Sequence, residues 1–437
     1  MKGLLQDAFT LLFARGLIRL AQLLSFVLLA RLLTPSEFGW FGLVTTGIGL
    51  AATLGSLGLR QASAFQIGRS LLTAGEATGT ALAAWLPLAL IATTLIIVSY
   101  NWSLPGMSTA AIHAAMFVGI ASTMLIMILQ GVLLGRAEIR AFSTTETLPR
   151  IILAVMAAAL AVAGLAHALT AIWAHVMSFL IVVPFAIYLS RRGTYGLSVR
   201  LDRLPSLITY GVAFALNLSL IVLCARLSMF VIERVGNSAD VGRFFAAVRV
   251  SDIALEAASA VGLAVFSKSV QSTDTDRVMD KTARIACLMF WSFCSAGLLI
   301  AALAPYAVTF ILGGGYAGAG EALRILAVGL PAAAANKVIY PAMAGQGRPW
   351  FGTLVVTTGL TTNLVAAVIL VPTMGIAGGA ISLVVGQFVM LIGYILTCSR
   401  LFHTKPSLFF AITVDDIQTL HRSIRKKAAR LGKKKES

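Results

Sequence analysis

Arg31-Leu32-Leu33-Thr34-Pro35-Ser36-Glu37-Phe38-Gly39-Trp40-Phe41 lines up with Arg234-Val235-Gly236-Asn237-Ser238-Ala239-Asp240-Val241-Gly242-Arg243-Phe244 at a constant offset of 203 residues, with the arginine, the acidic residue, the glycine and the phenylalanine all in register. A second register, offset 210, sets Gly135 on Gly345 and Leu165 on Gly375. Self-similarity of this kind exposes an architecture that single motifs miss. Both registers divide the chain into halves of six apolar stretches each, and because an even number of stretches separates equivalent points, the halves share one topology.

Working outward from the repeat, the stretches are 9–32, 40–60, 78–99, 110–134, 148–168, 170–190, 206–232, 243–266, 284–311, 322–344, 350–371 and 376–399. Each is roughly 20 residues or more and nearly uncharged, long enough to cross a bilayer as an α-helix. The composition agrees: 58% hydrophobic and 12% charged residues, with a mean hydropathy of +0.91, exclude a soluble globular chain, in which about 25% of residues are charged. The expected fold is an all-α polytopic membrane protein of twelve transmembrane helices in two six-helix lobes related by a pseudo-two-fold axis. The expected bounds are lobes at 1–190 and 206–400, a linker at 191–205 and a basic tail at 401–437.

A formal charge of +17 raises the question of nucleic acid, but the basic residues sit at the ends of apolar stretches and in one tail. Membrane topology explains them better. With the N-terminus inside, the inner loops carry Arg60, Arg69, Arg136, Arg140, Arg150, Arg191, Arg192, Arg200, Arg203, Lys268, Arg277, Lys281, Arg284 and Arg348, against chiefly Arg234 and Arg243 outside. This bias predicts that both termini are cytoplasmic. Residues 11–31 read as a retained first helix, since no small-residue cleavage site follows them.

Charges inside apolar stretches usually mark function. Arg15, Arg19 and Gln22 recur at i, i+4 and i+7 and share one helix face. Arg15, nearer the interface, could instead snorkel to lipid phosphates. Arg249, Asp252 and Glu256 form a second stripe at i, i+3 and i+7, either an internally neutralised cluster or a set in which a carboxylate takes up a proton or cation. Arg226 and Lys337, isolated in sequence, complete a group whose net charge is positive. At about 2.5–3.5 kcal/mol per charge, exposing its five cations to lipid would cost on the order of 15 kcal/mol, so they are expected to face a watery cavity.

Other features carry less. Asn336, Asn363, Thr357, Thr358, Thr361 and Thr362 either hydrogen-bond a polar cargo or bind helices to one another. His113, His167 and His175 read as packing or interfacial residues, with His175 alternatively proton-sensitive. Tyr100 and Trp102 read as interface anchors. Four scattered cysteines show no CxxC, and no HExxH or Walker pattern occurs, so no metal, nucleotide or other cofactor is expected. Gly313-Gly314-Gly315 reads as an external loop. In the tail, Ile417, Leu420, Ile424, Ala428 and Leu431 recur at helical spacing among eight basic residues, predicting either an amphipathic helix on anionic lipid or a solvated tail.

Several segments resemble the Wzx-type polysaccharide or O-antigen flippases of the multidrug/oligosaccharidyl-lipid/polysaccharide (MOP) exporter superfamily. They are Ala30-Arg31-Leu32-Leu33-Thr34-Pro35-Ser36-Glu37-Phe38-Gly39, Gly58-Leu59, Val241-Gly242-Arg243-Phe244-Phe245-Ala246-Ala247, Gly315-Tyr316-Ala317 with Ala322-Leu323-Arg324-Ile325-Leu326, and Pro372-Thr373-Met374-Gly375-Ile376-Ala377-Gly378-Gly379-Ala380. The resemblance covers nearly all of residues 1–400. It implies a MATE-like, non-enzymatic transporter in the bacterial inner membrane that passes a polyprenyl-pyrophosphate-linked oligosaccharide to the periplasmic leaflet by alternating access. Its expected partners are that glycolipid, membrane lipids, and a glycan polymerase or chain-length protein, with no nucleic acid. Arg15, Arg19, Gln22, Arg226, Arg249 and Lys337 are the expected substrate-binding residues, because arginine pairs with phosphate oxygens and stays charged. Asp252 and Glu256 are the expected coupling residues. The alternatives are a cation-coupled multidrug antiporter, whose cationic cargo such a chamber would repel, and a membrane glycan polymerase or ligase, disfavoured by short outer connections.

Overall fold

The computed structural model describes residues 20–100, 102, 106–192, 196–271 and 274–411. Among these every regular element is helical. In chain order they are α1 (Leu20–Leu32), α2 (Pro35–Gly55), α3 (Leu59–Gly68), α4 (Ala74–Ser99), α5 (Thr109–Gly135), α6 (Ile139–Ala163), α7 (Ala168–Leu180), α8 (Val182–Arg191), α9 (Leu204–Val235), α10 (Ser238–Ala254), α11 (Glu256–Gln271), α12 (Thr275–Leu312), α13 (Ala317–Gly345) and α14 (Pro349–Phe402). The expected stretches from 40–60 onward fall largely on helix, and of the first, 9–32, the described part from Leu20 is helical. Nine helical segments among the described residues are long and apolar enough to cross a membrane, α7 and α8 counting as one segment.

Three expected stretches do not count separately: the first is described only from Leu20, the eighth is divided and the last two are merged, while the second is divided but still counts through α2. The second expected stretch is divided at Leu57 and Gly58, both in the left-handed region, which starts α3 in a new direction. The eighth is divided at Leu255. The last two are merged in α14, whose helical geometry fails at Gly375 (φ 54°, ψ −127°). Across that point Gly378 lies against Leu370, Gly386 against Asn363 (3.0 Å from a built Cβ) and Gly393 against Val355 (2.9 Å). As one partner's number rises the other's falls, so α14 is an antiparallel hairpin of arms 349–374 and 376–402. Glycines let the two arms approach closely.

The repeat is visible in bonds. Thr34 caps α2, accepting from the Glu37 amide at 3.3 Å, and Asn237, its equivalent at offset 203, caps α10 by accepting from the Asp240 amide at 2.9 Å. At offset 210 the turns closing α5 and α13 match. The Ala137 amide bonds to Leu134 O and the Glu138 amide to Leu133 O, while the Gly347 amide bonds to Ala344 O and the Arg348 amide to Met343 O, all within 2.9–3.1 Å.

The equivalent helices α2 and α10 also pack on each other. A Cβ at Gly39 would strike the carbonyl oxygen of Ser238, and one at Gly242 would strike that of Pro35, the residue equivalent to Ser238. Reciprocal contacts of this kind are what a two-fold axis produces. Here they lock the halves where side chains are absent. The apolar windows of α2, α5 and α13 are 72%, 72% and 78% buried, against 28%, 28% and 22% for α4, α6 and α12. The first three are therefore interior, and the last three present Leu95, Val98, Val162, Leu298 and Phe310 outward.

Candidate functional site

Where α2 and α10 cross, their aromatic residues form a plug. Phe38 and Phe245 are buried, with ring centroids 5.2 Å apart, and Phe38 also meets Tyr316 at 5.8 Å and Phe41 at 6.0 Å. The plug closes one side of a chamber of about 200 Å³ between the halves. Its walls include Gln22 of α1, Arg150 of α6, His175 of α7, Arg249 and Asp252 of α10, Glu256 of α11 and Lys337 of α13.

Of the residues expected from sequence, Gln22, Arg249, Asp252, Glu256 and Lys337 are thus brought together. Arg15 and Arg19 lie outside the described residues, as does the tail after Ala411. Arg226, on α9, points toward the same group and ion-pairs with Asp252, while its Nη1 atom is buried without a hydrogen-bond partner. Its guanidinium sits 5.8 Å from the Phe245 ring centre, and that of Arg249 sits 5.0 Å from it. An aromatic face attracts cations. The plug therefore presents a favourable floor to two guanidinium groups at once.

Arg249 and Lys337 are exposed, although each lies on a helix that is otherwise largely interior. Among the described residues neither makes an ion pair. For Arg249 the reason is positional: Asp252, the carboxylate one turn further along the same helix, is occupied by Arg226. The expected single helix-eight stripe is corrected at Leu255, where the helix divides between Asp252 and Glu256, yet both carboxylates still line the chamber.

Sequence reasoning left two groups out of the binding set. Arg150 lies inside the stretch 148–168 but near its end, which assigned it to the inner loop. In the structure α6 begins at Ile139, so Arg150 is three turns into the helix, on the chamber, with its guanidinium 5.5 Å from the Phe179 ring centre. The signal available was the helical continuation through Ser143, Thr145 and Thr147, which are buried. His175 also lines the chamber, between Phe41 (6.1 Å) and Phe179 (5.2 Å), and its Nδ1 is buried without a partner.

A second chamber of about 330 Å³ adjoins the first, sharing Asp252 and Lys337 with it, and lies between α9, α10, α13 and the arms of α14. Its lining is mainly apolar. Pro341 cannot donate to the Lys337 carbonyl one turn earlier, and Gly262 of α11 packs directly on that carbonyl.

The remaining polar candidates divide. Asn363 joins helices: its Nδ2 donates to Cys224 O at 2.8 Å and its Oδ1 accepts from Ser228 at 3.1 Å. Thr357, Thr358 and Thr362 bond back to carbonyls of their own helix. Trp102 is not an interface anchor. It is buried against Gly47, where the missing side chain admits its ring, and its indole N–H donates to Ile96 O at 2.8 Å.

Comparison with solved structures is consistent with this geometry. The chain superposes on the lipid II flippase MurJ in an inward closed conformation with a TM-score of 0.70 at 13% identity, covering 89% of this chain and 87% of that one. It superposes on an inward-facing MATE family multidrug resistance transporter of the MOP superfamily at 0.67 and 18% identity, covering 88% and 94%. A MOP superfamily transporter from Pyrococcus furiosus, described as having a binding pocket of reverse polarity, gives 0.61 at 18%, covering 93% and 96%. No curated protein matches the chain in a sequence search. The fold is the one shared by these three structures, and the class it defines is a multi-pass helical membrane protein. More particularly, residues 4–266 match the family described as polysaccharide biosynthesis protein, and the chain belongs to that family.

Proposed function

We propose that the protein is a flippase, not an enzyme, carrying a polyprenyl-pyrophosphate-linked oligosaccharide from the cytoplasmic to the periplasmic leaflet of a bacterial inner membrane. The cargo is a repeat unit of O-antigen, capsule or exopolysaccharide. Lobes 1–190 and 206–400 rock about the chamber, joined by a cytoplasmic linker at 191–205.

The single observation that supports this is the pair Arg249 and Lys337, exposed within a membrane-embedded chamber and without an ion pair among the described residues. A cation there is costly unless water or an anion meets it. A pyrophosphate supplies the matching charge, and arginine supplies paired donors for its oxygens. Arg226 with Asp252 forms the adjustable part: protonation of Asp252 would release Arg226 toward the same anion. Asp252 and Glu256 are the coupling candidates. Gln22, with Arg15 and Arg19 beyond the described residues, is assigned to the same binding role.

The test uses a strain lacking the gene, with the lipid-linked intermediate quantified on each leaflet. Arg249→Gln and Lys337→Gln proteins, inserted at normal levels, should leave the intermediate on the inner leaflet. Normal export by both would refute the assignment. Raised resistance to cationic dyes on expression would favour the drug-antiport alternative instead.

A further inference from the structure

The antiparallel pair α12 and α13 carries a polar arrangement on its outward surface, away from both chambers. Pro305 lies inside α12, near its end. Having no N–H, a helical proline leaves the carbonyl four residues earlier without its donor, here that of Ala301. α13 supplies the missing donor. Gly320 allows the close approach, since a Cβ there would stand 2.9 Å from the Pro305 Cα, and one turn further on the Arg324 Nε donates to the Ala301 carbonyl at 3.2 Å. That bond fixes the guanidinium by one donor, and its two Nη groups make no hydrogen bond among the described residues.

Glu321 and Arg324 stand at i and i+3 on one face of α13, both exposed, and neither forms an ion pair among the described residues. The anchor at Ala301 commits the guanidinium to α12 rather than to its neighbour. The surrounding surface is apolar and outward: Val328 is 61% exposed, Leu299 61% and Leu303 51%. The apolar stretch 322–344 begins between the two charges, so Glu321 stands on the water side of that boundary and Arg324 just within it. The other half does without this arrangement. At offset 210, Ala111 and Ala114 take the places of the two charges, and Leu95 that of the proline. Packing of this helix pair therefore does not require them.

We propose that Glu321 and Arg324 form a binding site for one phospholipid with an ethanolamine headgroup, in the leaflet that the α12–α13 connection faces. The proposal stands whatever the cargo of the chambers. A guanidinium held at the edge of the hydrocarbon, with paired donors open, matches a lipid phosphate. Helical side chains lean toward the N-terminus of their helix, which here carries the Arg324 side chain toward the headgroups. Glu321 lies one turn nearer the water, about 4.5 Å along the axis, on the side where the ammonium of an ethanolamine headgroup lies relative to its phosphate. Its carboxylate accepts from that ammonium. A glycerol headgroup brings no cation to Glu321, and a choline headgroup brings one without an N–H. The acyl chains lie along Leu299, Leu303 and Val328.

The experiment is native mass spectrometry of the full chain in detergent, titrated with phosphatidylethanolamine, phosphatidylglycerol or phosphatidylcholine of one acyl composition. Phosphatidylethanolamine should bind about threefold more tightly than either of the others, the range expected of a partly exposed ion pair. Glu321→Gln should bring that ratio to about one, and Arg324→Gln should weaken all three lipids, which share the phosphate. Pro305→Ala returns an amide to the Ala301 carbonyl and touches neither charge. Released from its anchor, Arg324 should then pair with Glu321 and the preference should fall below about twofold. Equal binding of the three lipids, or a ratio unchanged by Glu321→Gln, would show annular lipid only and overturn the site. Polyprenyl phosphate, which has no ammonium, should bind the unsubstituted and Arg324→Gln proteins alike. If it instead binds more tightly than phosphatidylethanolamine and depends on Arg324, the ethanolamine assignment is overturned in favour of a phosphate-terminated lipid.

Discussion

Arg226 and Arg249 share the ring of Phe245 but differ in what each contributes. Arg226 is the paired cation of the two: its side chain is 11% exposed and held by Asp252. Removing one partner of a buried pair strands the other, so Arg226→Met should lower stability by about 1–3 kcal/mol, discounted from a fully dry pair because Asp252 keeps some access to the chamber. The double variant with Asp252→Leu should recover much of that loss, measured by thermal unfolding of the detergent-solubilised protein. Arg249→Gln should leave the melting temperature within a degree or two, because no ion pair is broken, and yet reduce binding of pyrophosphate lipid. Equal thermal losses at both positions would contradict the division of labour. The identities of these residues were legible in sequence. Their difference in partner was not, because Asp252 and Arg226 lie on separate helices and nothing in spacing says which cation a carboxylate will choose.

At the level of elements, small residues decide which faces meet. Gly39 and Gly49 lie on the same helix, but a Cβ at Gly39 collides with α10 backbone whereas one at Gly49 meets nothing within 4 Å. Gly39→Ala and Gly242→Ala should therefore each destabilise by about 1–3 kcal/mol or more through overpacking. Gly49→Ala should be neutral or stabilising by about 0.5–1 kcal/mol, since helical glycine is costly relative to alanine. Thermal melts of the three single variants check this directly. Gly375 is different again: φ 54° with ψ −127° is backbone that a side chain disfavours. Gly375→Ala should cost about 1–3 kcal/mol, seen as lower yield of monodisperse protein and a lower melting temperature. The turn before the last helix was legible from the repeat, since Leu165 and Gly375 align. The division of the second stretch at Leu57 was only partly legible: Gly55, Ser56 and Gly58 are turn-forming residues, but apolar length alone carried the stretch on to residue 60.

Across the whole molecule, two arginine contacts tie the halves at one end. Arg31, closing α1, donates to the carbonyls of Phe310 (2.5 Å) and Ile311 (2.7 Å) at the end of α12. Its repeat equivalent Arg234, closing α9, lies 4.9 Å from the ring of Tyr100 at the end of α4, and the Tyr100 hydroxyl donates to Glu233. These four helix ends fall on the same side because they close the odd-numbered crossings of both halves. A cation at a helix C-terminus also meets the negative end of its dipole. Combining Arg31→Ala with Tyr100→Phe should loosen this closure, at about 1.5–3 kcal/mol for the charged contact. Spin labels at the exposed positions Val98 and Tyr306 should then report a longer-distance population absent from the unsubstituted protein. Unchanged distances would show that the aromatic plug alone holds this end shut.

Apolar length and internal repetition, both properties of the chain alone, determined a helical membrane protein of two like halves, because a bilayer admits few other ways to satisfy backbone polar groups. The repeat even encoded paired helix caps, which depend only on neighbours three residues away. Tertiary structure alone decided that the equivalent glycines touch, that Arg150 and His175 turn onto the chamber, and that Asp252 pairs with Arg226 while Arg249 stays open. The physical reason is that packing and pairing join residues far apart in sequence, whereas spacing along a chain records only the face of its own helix.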